Sequence, residues 1–319
     1  SLLSGILMAR SRSANNPLTR LLLIRRLWRR LLSRFTTRVR ACKPDIMIAT
    51  QMMPAAIMAR AKMEGRISVP TIGVVTDFGV HDFWIQEGID YYCLGHHSFA
   101  DLRSVGINPD RVHATGIPLM PVFSALPDQR TARHELGLDL HTPVVMIAGG
   151  GLGLGVAEVA ETLLKNAKCQ LLVVVGQNEL AATQATALAQ HHPGRIRVFR
   201  WTENMARLVC AADVVVSKPG GLTVAETLTC GRPLLATQSL KGQEGFNVRF
   251  LETHGAGLLL DGHQLPQAVC RLLDNPRLLS RMQAKAARIG CRSGTHAIID
   301  LVETLVARPT NTWAIGAKG

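Results

Sequence analysis

Apolar residues fall in short continuous runs separated by polar stretches. Runs at 45–50, 71–76, 91–94 and 111–115 read as strands in the first half. Runs at 143–148, 171–176, 196–199, 213–217, 234–237 and 256–260 read the same way in the second. Because the runs do not alternate with polar residues, they predict parallel strands covered on both faces. Stretches of helical period lie between them, at 156–167, 179–190 and 223–230. Repeated βα units imply an α/β fold of doubly wound parallel sheets. Pro118, Pro121 and Pro127 interrupt the pattern, and a short helix at 131–136 leads into the fresh strand at 143. The chain therefore divides into a first domain over 1–125, a second over 126–306, and a loose tail over 307–319. Helical patterns at 276–289 and 295–306 close the second. At 319 residues the chain is long for one core and comfortable for two.

One stretch has the helical period without acidic partners. From Leu18 to Arg40, Leu21, Ile24, Trp28, Leu31, Leu32 and Phe35 form a stripe among eight arginines. Such a helix can lie on an anionic membrane surface, where each basic residue contributes about 1 kcal/mol. It can equally pack its stripe on a sheet and solvate its arginines. The lack of any acid and the interfacial character of Trp28 favour the membrane.

Charge sharpens this. The formal net charge is +13, but residues 1–44 hold eleven Lys and Arg and no Asp or Glu. Taking those eleven from the 36 leaves 25 basic against 23 acidic residues, so the rest is near neutral. Basicity confined to one segment, with only 4% aromatics, argues against nucleic acid as a partner. Seven scattered cysteines without a C-x-x-C pair argue against a disulfide framework and a zinc site and suit a reducing cytosol. No apolar run reaches the length that spans a bilayer.

The candidate chemistry lies at strand ends. After the strand at 213–217 comes Ser217-Lys218-Pro219-Gly220-Gly221-Leu222-Thr223-Val224-Ala225-Glu226. A glycine pair opening a helix presents backbone N–H groups and the helix N-terminus to an anion. Glu226, just inside that helix, can take two ribose hydroxyls, although a solvated carboxylate is the commoner fate of a single Glu. After the strand at 143–148 comes a second glycine turn, Gly149, Gly150, Gly151, Gly153 and Gly155. It lacks both the Lys-Ser/Thr of a P-loop and the acid of a dinucleotide site, where Gly176-Gln177-Asn178 stands instead. Phosphate contact is favoured there over mere packing. Gln243, Glu244 and Asn247 group polar side chains at a helix start, suited to sugar hydroxyls or to capping. Asp77 and His81 follow the strand at 71–76 and could serve acid/base chemistry or acceptor binding, with capping the even alternative.

Together these pieces resemble the GT-B glycosyltransferases of glycolipid synthesis, the family of monogalactosyldiacylglycerol synthase and the diacylglycerol glucosyltransferases (family 28). The resemblance rests on Val75-Thr76-Asp77-Phe78, Gly116 to Phe123, Gly149 to Gly155, Ser217 to Glu226 and Gly242 to Asn247. It implies two Rossmann-like domains with a cleft between them, and transfer of glucose or galactose from a UDP-sugar to diacylglycerol. The diphosphate would meet Gly149, Gly150, Gly151, Gly153, Ser217, Gly220 and Gly221. The ribose would meet Glu226, the sugar Gln243, Glu244 and Asn247, and the base the region of Trp201, Asn204 and Met205. It further implies no metal or cofactor, because helix dipoles and backbone amides stabilise the departing UDP. The expected location is cytoplasmic, peripheral on the inner face of the cell membrane. In the family a strand and a glycine-rich loop with a histidine base come first. Nothing before the basic helix matches them, so the sequence is expected to begin inside that domain or to be catalytically incomplete. Alternatives are transfer of N-acetylglucosamine to a polyprenyl-linked acceptor, UDP-sugar epimerisation, which would need no basic helix, and a binding protein without catalysis.

Overall fold

The computed structural model describes residues 17–96, 107–150, 153, 155–237 and 243–307, without the side chains of 17–25 and Gln243. Among the described residues two parallel sheets hold the ten expected strands. The first has the order β1 (Met47–Ala49), β2 (Thr71–Val74), β3 (Tyr91–Cys93), β4 (Val112–His113). The second is built from β5 (Val144–Ala148), β6 (Gln170–Gly176), β7 (Ile196–Arg200), β8 (Val214–Ser217), β9 (Leu234–Ala236) and β10 (Gly257–Leu259). Its order is β10-β9-β8-β5-β6-β7, parallel throughout.

That order follows from the continuous apolar runs. Every residue of β5, β6 and β8 is buried. Met146 and Val215 feed one core, together with Phe250 and Leu251 from α8 (Gln243–His254). Val145, Ile147 and Val216 feed the other, with Leu163 and Leu164 from α4 (Val156–Asn166). The sheet is further covered by α3 (Gln129–Glu135), α5 (Glu179–His191), α6 (Met205–Ala211), α7 (Gly221–Thr229), α9 (Leu265–Leu273) and α10 (Pro276–Ile289). Polar groups pin the strand starts. Arg133 of α3 pairs with Asp213 at 2.6 Å, while Asp213 also accepts the Val144 N–H at 2.7 Å. The same guanidinium donates to the carbonyls of Ala211 and Leu140.

Three helices lie outside the stretches read as helical. One, α2 (Met52–Met63), carries no single apolar stripe and has Pro54 in its first turn, where proline is tolerated. The others are α6 and α9. One element reaches across the division at residue 125. The closing helix α11 (Gly294–Val306) returns to the first sheet, where Ile298 and Leu305 pack on Ile72, Val74 and Cys93.

The basic helix, α1 (Pro17–Cys42), is longer than expected at both ends. Its C-terminal half docks: Leu32 is buried, and Phe35 and Val39 join it against Met58 and Ala59. Arg26, Arg29, Arg30, Arg34, Arg38 and Arg40 all face solvent. The packing reading thus holds for this half, whose arginines remain available to a surface.

Candidate functional site

Strand order places the site. The chain runs from β5 outward through β6 and β7, then crosses back to β8 and runs the other way through β9 and β10. The crevice beyond the C-terminal ends of β5 and β8 is therefore the topological switch point, where open α/β sheets bind ligands. Both glycine turns open there. Gly149 follows the end of β5, Ser217 is the last residue of the neighbouring β8, and the Ser217 hydroxyl donates to the Ala148 carbonyl at 2.7 Å. This bond ties the two strand ends together.

The glycines divide by role. Gly150, Gly153 and Gly155 take positive φ (65°, 54° and 72°), a conformation open to glycine at little cost. A Cβ on Gly153 would lie 2.1 Å from the Val175 carbonyl oxygen, and one on Gly221 only 1.8 Å from that of Thr76. These two are required by packing of backbone on backbone. Around Gly220, in contrast, nothing lies within 4 Å of an added Cβ, and it precedes the first turn of α7. Open space at a helix N-terminus suits an anion. Gly151 lies outside the described residues.

Two cavities flank the crevice. One of about 640 Å³ is lined by Gly149, Gly155, Ser217, Lys218 and Trp201. The other, about 450 Å³, is lined by Gly150, Trp201, Met205, Glu226 and Thr227, with Met120 and Phe123 of the interdomain connection as an apolar wall. Trp201, 69% exposed, borders both. Asn204 is exposed and precedes α6 without capping it through its side chain. In the smaller cavity burial pushes the Glu226 carboxyl up to about 7. Beside it Thr227 Oγ is buried with no hydrogen-bond partner among the described residues. A carboxylate and an orphaned hydroxyl on an apolar wall are a fitting set for a polar ligand carrying a flat ring.

In the 243–247 cluster the Asn247 side chain is turned inward to the protein. Asn247 is fully buried. Its Nδ2 donates to Asp77 Oδ1 at 2.8 Å and to the Pro219 carbonyl at 2.9 Å, and its Oδ1 accepts the Phe78 N–H at 2.7 Å. Both N–H donors and one lone pair are thus engaged within the protein. Asn247 ties the turn before Gly220 to the loop after β2. The stacked Phe78 and Phe250 rings, 4.2 Å apart, reinforce this contact. Glu244 is buried beside Lys218, 3.8 Å away. The Gln243 side chain lies outside the described residues.

Asp77 joins the Asn247 contact, but neither Asp77 nor His81 lines the two cavities. His81 caps the turn Asp82–Trp84, accepting the Phe83 N–H at Nδ1, and stacks on the Phe83 ring. Lys218, Thr227 and Met120 are cavity residues that sequence reasoning did not select. Lys218 and Met120 stood inside recognised stretches and Thr227 just past one, and only the fold reveals which way each points. Among the described residues no group of three or more His, Cys, Asp or Glu is placed to hold a metal ion. All seven cysteines are free.

Two parallel-sheet domains joined by a cleft, with the switch-point site in the second, define the GT-B architecture. Solved structures of this fold match. MurG of Acinetobacter baumannii has a TM-score of 0.59 at 20% identity, covering 84% of this chain and 76% of that one. A UDP-GlcNAc 2-epimerase of Neisseria meningitidis bound to UDP-GlcNAc has 0.60 at 14%, covering 87% and 81%. At these identities the likeness is one of fold. Sequence goes further. The family model for monogalactosyldiacylglycerol (MGDG) synthase matches residues 14–119, and that for the glycosyltransferase family 28 C-terminal domain matches 144–298. A processive diacylglycerol beta-glucosyltransferase of Bacillus pumilus is 31% identical over 265 residues, covering 82% of this chain and 69% of that protein. Its Bacillus subtilis counterpart is 29% identical over 262 residues, covering 81% and 68%. The chain belongs to glycosyltransferase family 28.

Proposed function

We propose that the protein transfers a hexose, glucose or galactose, from a UDP-sugar to diacylglycerol. The observation that carries this is the 31% identity to a diacylglycerol glucosyltransferase across both sheets. The geometry is in keeping with it. Gly220 and the start of α7, with Gly149 and Gly150 opposite, offer backbone amides to a diphosphate. Glu226 and Thr227 take the ribose hydroxyls, and the apolar wall beside Trp201 and Met205 takes the base. Glu244 faces the sugar. The acceptor enters from the first sheet, and the exposed arginines of α1 hold that side against an anionic membrane surface. No helix among the described residues is long and apolar enough to cross a bilayer. An epimerase shares this fold, but its reaction gives the basic helix nothing to do.

The test is to incubate the product of the complete reading frame with diacylglycerol vesicles and a panel of UDP-sugars, following the lipid by mass spectrometry. A lipid heavier by one hexose or more is expected. Conversion of one UDP-sugar into another without a lipid product would contradict the proposal.

A further inference from the structure

None of the seven cysteines lines either cavity, yet two of them meet directly behind the smaller one. Cys210 closes the last turn of α6, and Cys230 follows the last residue of α7. Cys230 Sγ lies 4.0 Å from the Ala206 carbonyl oxygen. Ala206 stands one turn before Cys210, and helical side chains lean towards the preceding turn, so the two thiols meet over it. Arg232 donates to the Cys210 carbonyl at 2.8 Å. Its Nε is buried with no hydrogen-bond partner among the described residues. A guanidinium with an unused N–H beside a thiol favours the thiolate, which is the nucleophilic form. The buried cysteines differ accordingly. Burial pushes the thiols of Cys93 and Cys169 up to about 12 and about 11. Cys210 is held below the usual thiol range, by the hydrogen bond from Cys230 and, against burial, by the charges of Arg232 and Arg292. Cys230, which donates that bond, is pushed up.

We infer that Cys210 and Cys230 are a redox-modified pair, converted by hydrogen peroxide into a disulfide that ties α6 to α7. The Cys210 thiolate attacks one peroxide oxygen. An S–O bond forms, the O–O bond breaks, and the departing hydroxide takes up the proton that Cys210 had lost, leaving as water. The Cys230 sulfur then attacks the sulfenic sulfur. The S–S bond forms, the S–O bond breaks, and the hydroxyl leaves with the Cys230 proton as a second water. The two sulfurs are oxidised by two electrons in all, and the peroxide is reduced by the same two. Both cysteines are buried, which suits a small uncharged oxidant and excludes a bulky disulfide. Met205 and Val209 of α6 and Glu226 and Thr227 of α7 line the smaller cavity. Drawing the sulfurs from contact to bonding distance shifts one wall against the other. That cavity holds the uridine in the function proposed above, on which this consequence rests. Oxidation therefore weakens donor binding and reduction restores it.

The test treats the full chain with hydrogen peroxide, alkylates the remaining thiols after unfolding, and maps the peptides by mass spectrometry. The expected product is a peptide containing Cys210 joined to one containing Cys230, short of two hydrogens and parted by dithiothreitol, with Cys93 and Cys169 recovered alkylated. Oxidised glutathione in place of peroxide leaves the pair reduced. In calorimetric titration the oxidised protein binds UDP about threefold to tenfold more weakly, and dithiothreitol restores the affinity. Cys230→Ala abolishes both the bridge and the effect of peroxide on UDP binding, and Cys230→Ser gives the same comparison if the Ala variant does not fold. Both thiols recovered reduced at a peroxide level that oxidises the exposed Cys42 overturns the inference, as does Cys210 carried to the sulfinic acid without a bridge. A bridge that leaves UDP affinity unchanged overturns it too, and so does a loss of affinity that persists in Cys230→Ala. Reduced wild type that fails to bind UDP contradicts the donor-site reading alone, because the peptide masses report the bridge independently.

Discussion

At the scale of single residues, Glu226 carries the clearest chemical signature. Its carboxyl is pushed from an ordinary 4.5 to about 7 by burial alone. A raised carboxyl favours the native state when protonated. That contribution is complete below about pH 4.5 and is lost as pH rises through about 7. It amounts to at most about 3 kcal/mol. Urea unfolding of the ligand-free protein between pH 4.5 and 8 should therefore show stability falling with pH, and Glu226→Gln should flatten the fall. A ribose hydroxyl donates to the ionised form, so uridine, which has no phosphate to titrate, should bind more tightly as pH rises through 7. Unchanged uridine affinity would remove Glu226 from the ribose. The neighbouring glycines offer a second contrast. Gly220 has open space and Gly221 has the Thr76 carbonyl against it. Gly220→Ala should leave the melting temperature within a degree or two, given an ordinary φ of −66°, yet weaken UDP binding. Gly221→Ala should lower the melting temperature by several degrees. The placing of Glu226 beside the glycine pair is local and could be read from the sequence. Asn247 was singled out there for sugar hydroxyls or capping, but its tie to Phe78, 169 positions away, could not be read.

Among elements, legibility followed burial. The strands buried throughout, β2, β5, β6, β8 and β9, read as continuous apolar runs, and all ten strands were found with ends displaced by only a residue or two. The missed α2 has its apolar residues spread around the helix, which erases the period. The Arg133–Asp213 pair joins the start of β5 to that of β8, and no local pattern announces it. Arg133→Ala should destabilise by about 3–5 kcal/mol, the cost of leaving a buried charge unpaired, in chemical unfolding. On α1, replacing Arg26, Arg29, Arg30 and Arg34 by Gln should reduce sedimentation with anionic vesicles, by about 1 kcal/mol per charge at low salt. The melting temperature should hold, since these side chains face solvent. Undiminished sedimentation would assign α1 to packing alone.

Across the whole molecule, the two sheets are coupled at the site itself. Asn247 joins the Pro219 carbonyl to Asp77 and Phe78, the Phe78–Phe250 stack lies alongside, and α11 returns to cover the first sheet. The residues that shape the turn before Gly220 are thus the ones that join the first sheet to the second. Asn247→Leu should cost about 2–4 kcal/mol, since it removes three hydrogen bonds and strands their partners. The two-domain plan was visible in the alternation of apolar runs. The return of α11 was not, because a helix carries no mark of which sheet it will cover. The central claim is that UDP lies across the switch point between β5 and β8. A crystal structure of the UDP complex tests it directly. The account predicts the diphosphate against the Gly220 turn and the Gly149–Gly150 backbone, the ribose on Glu226 and the base beside Met205. UDP bound elsewhere, or seated with its ribose away from Glu226, would contradict it.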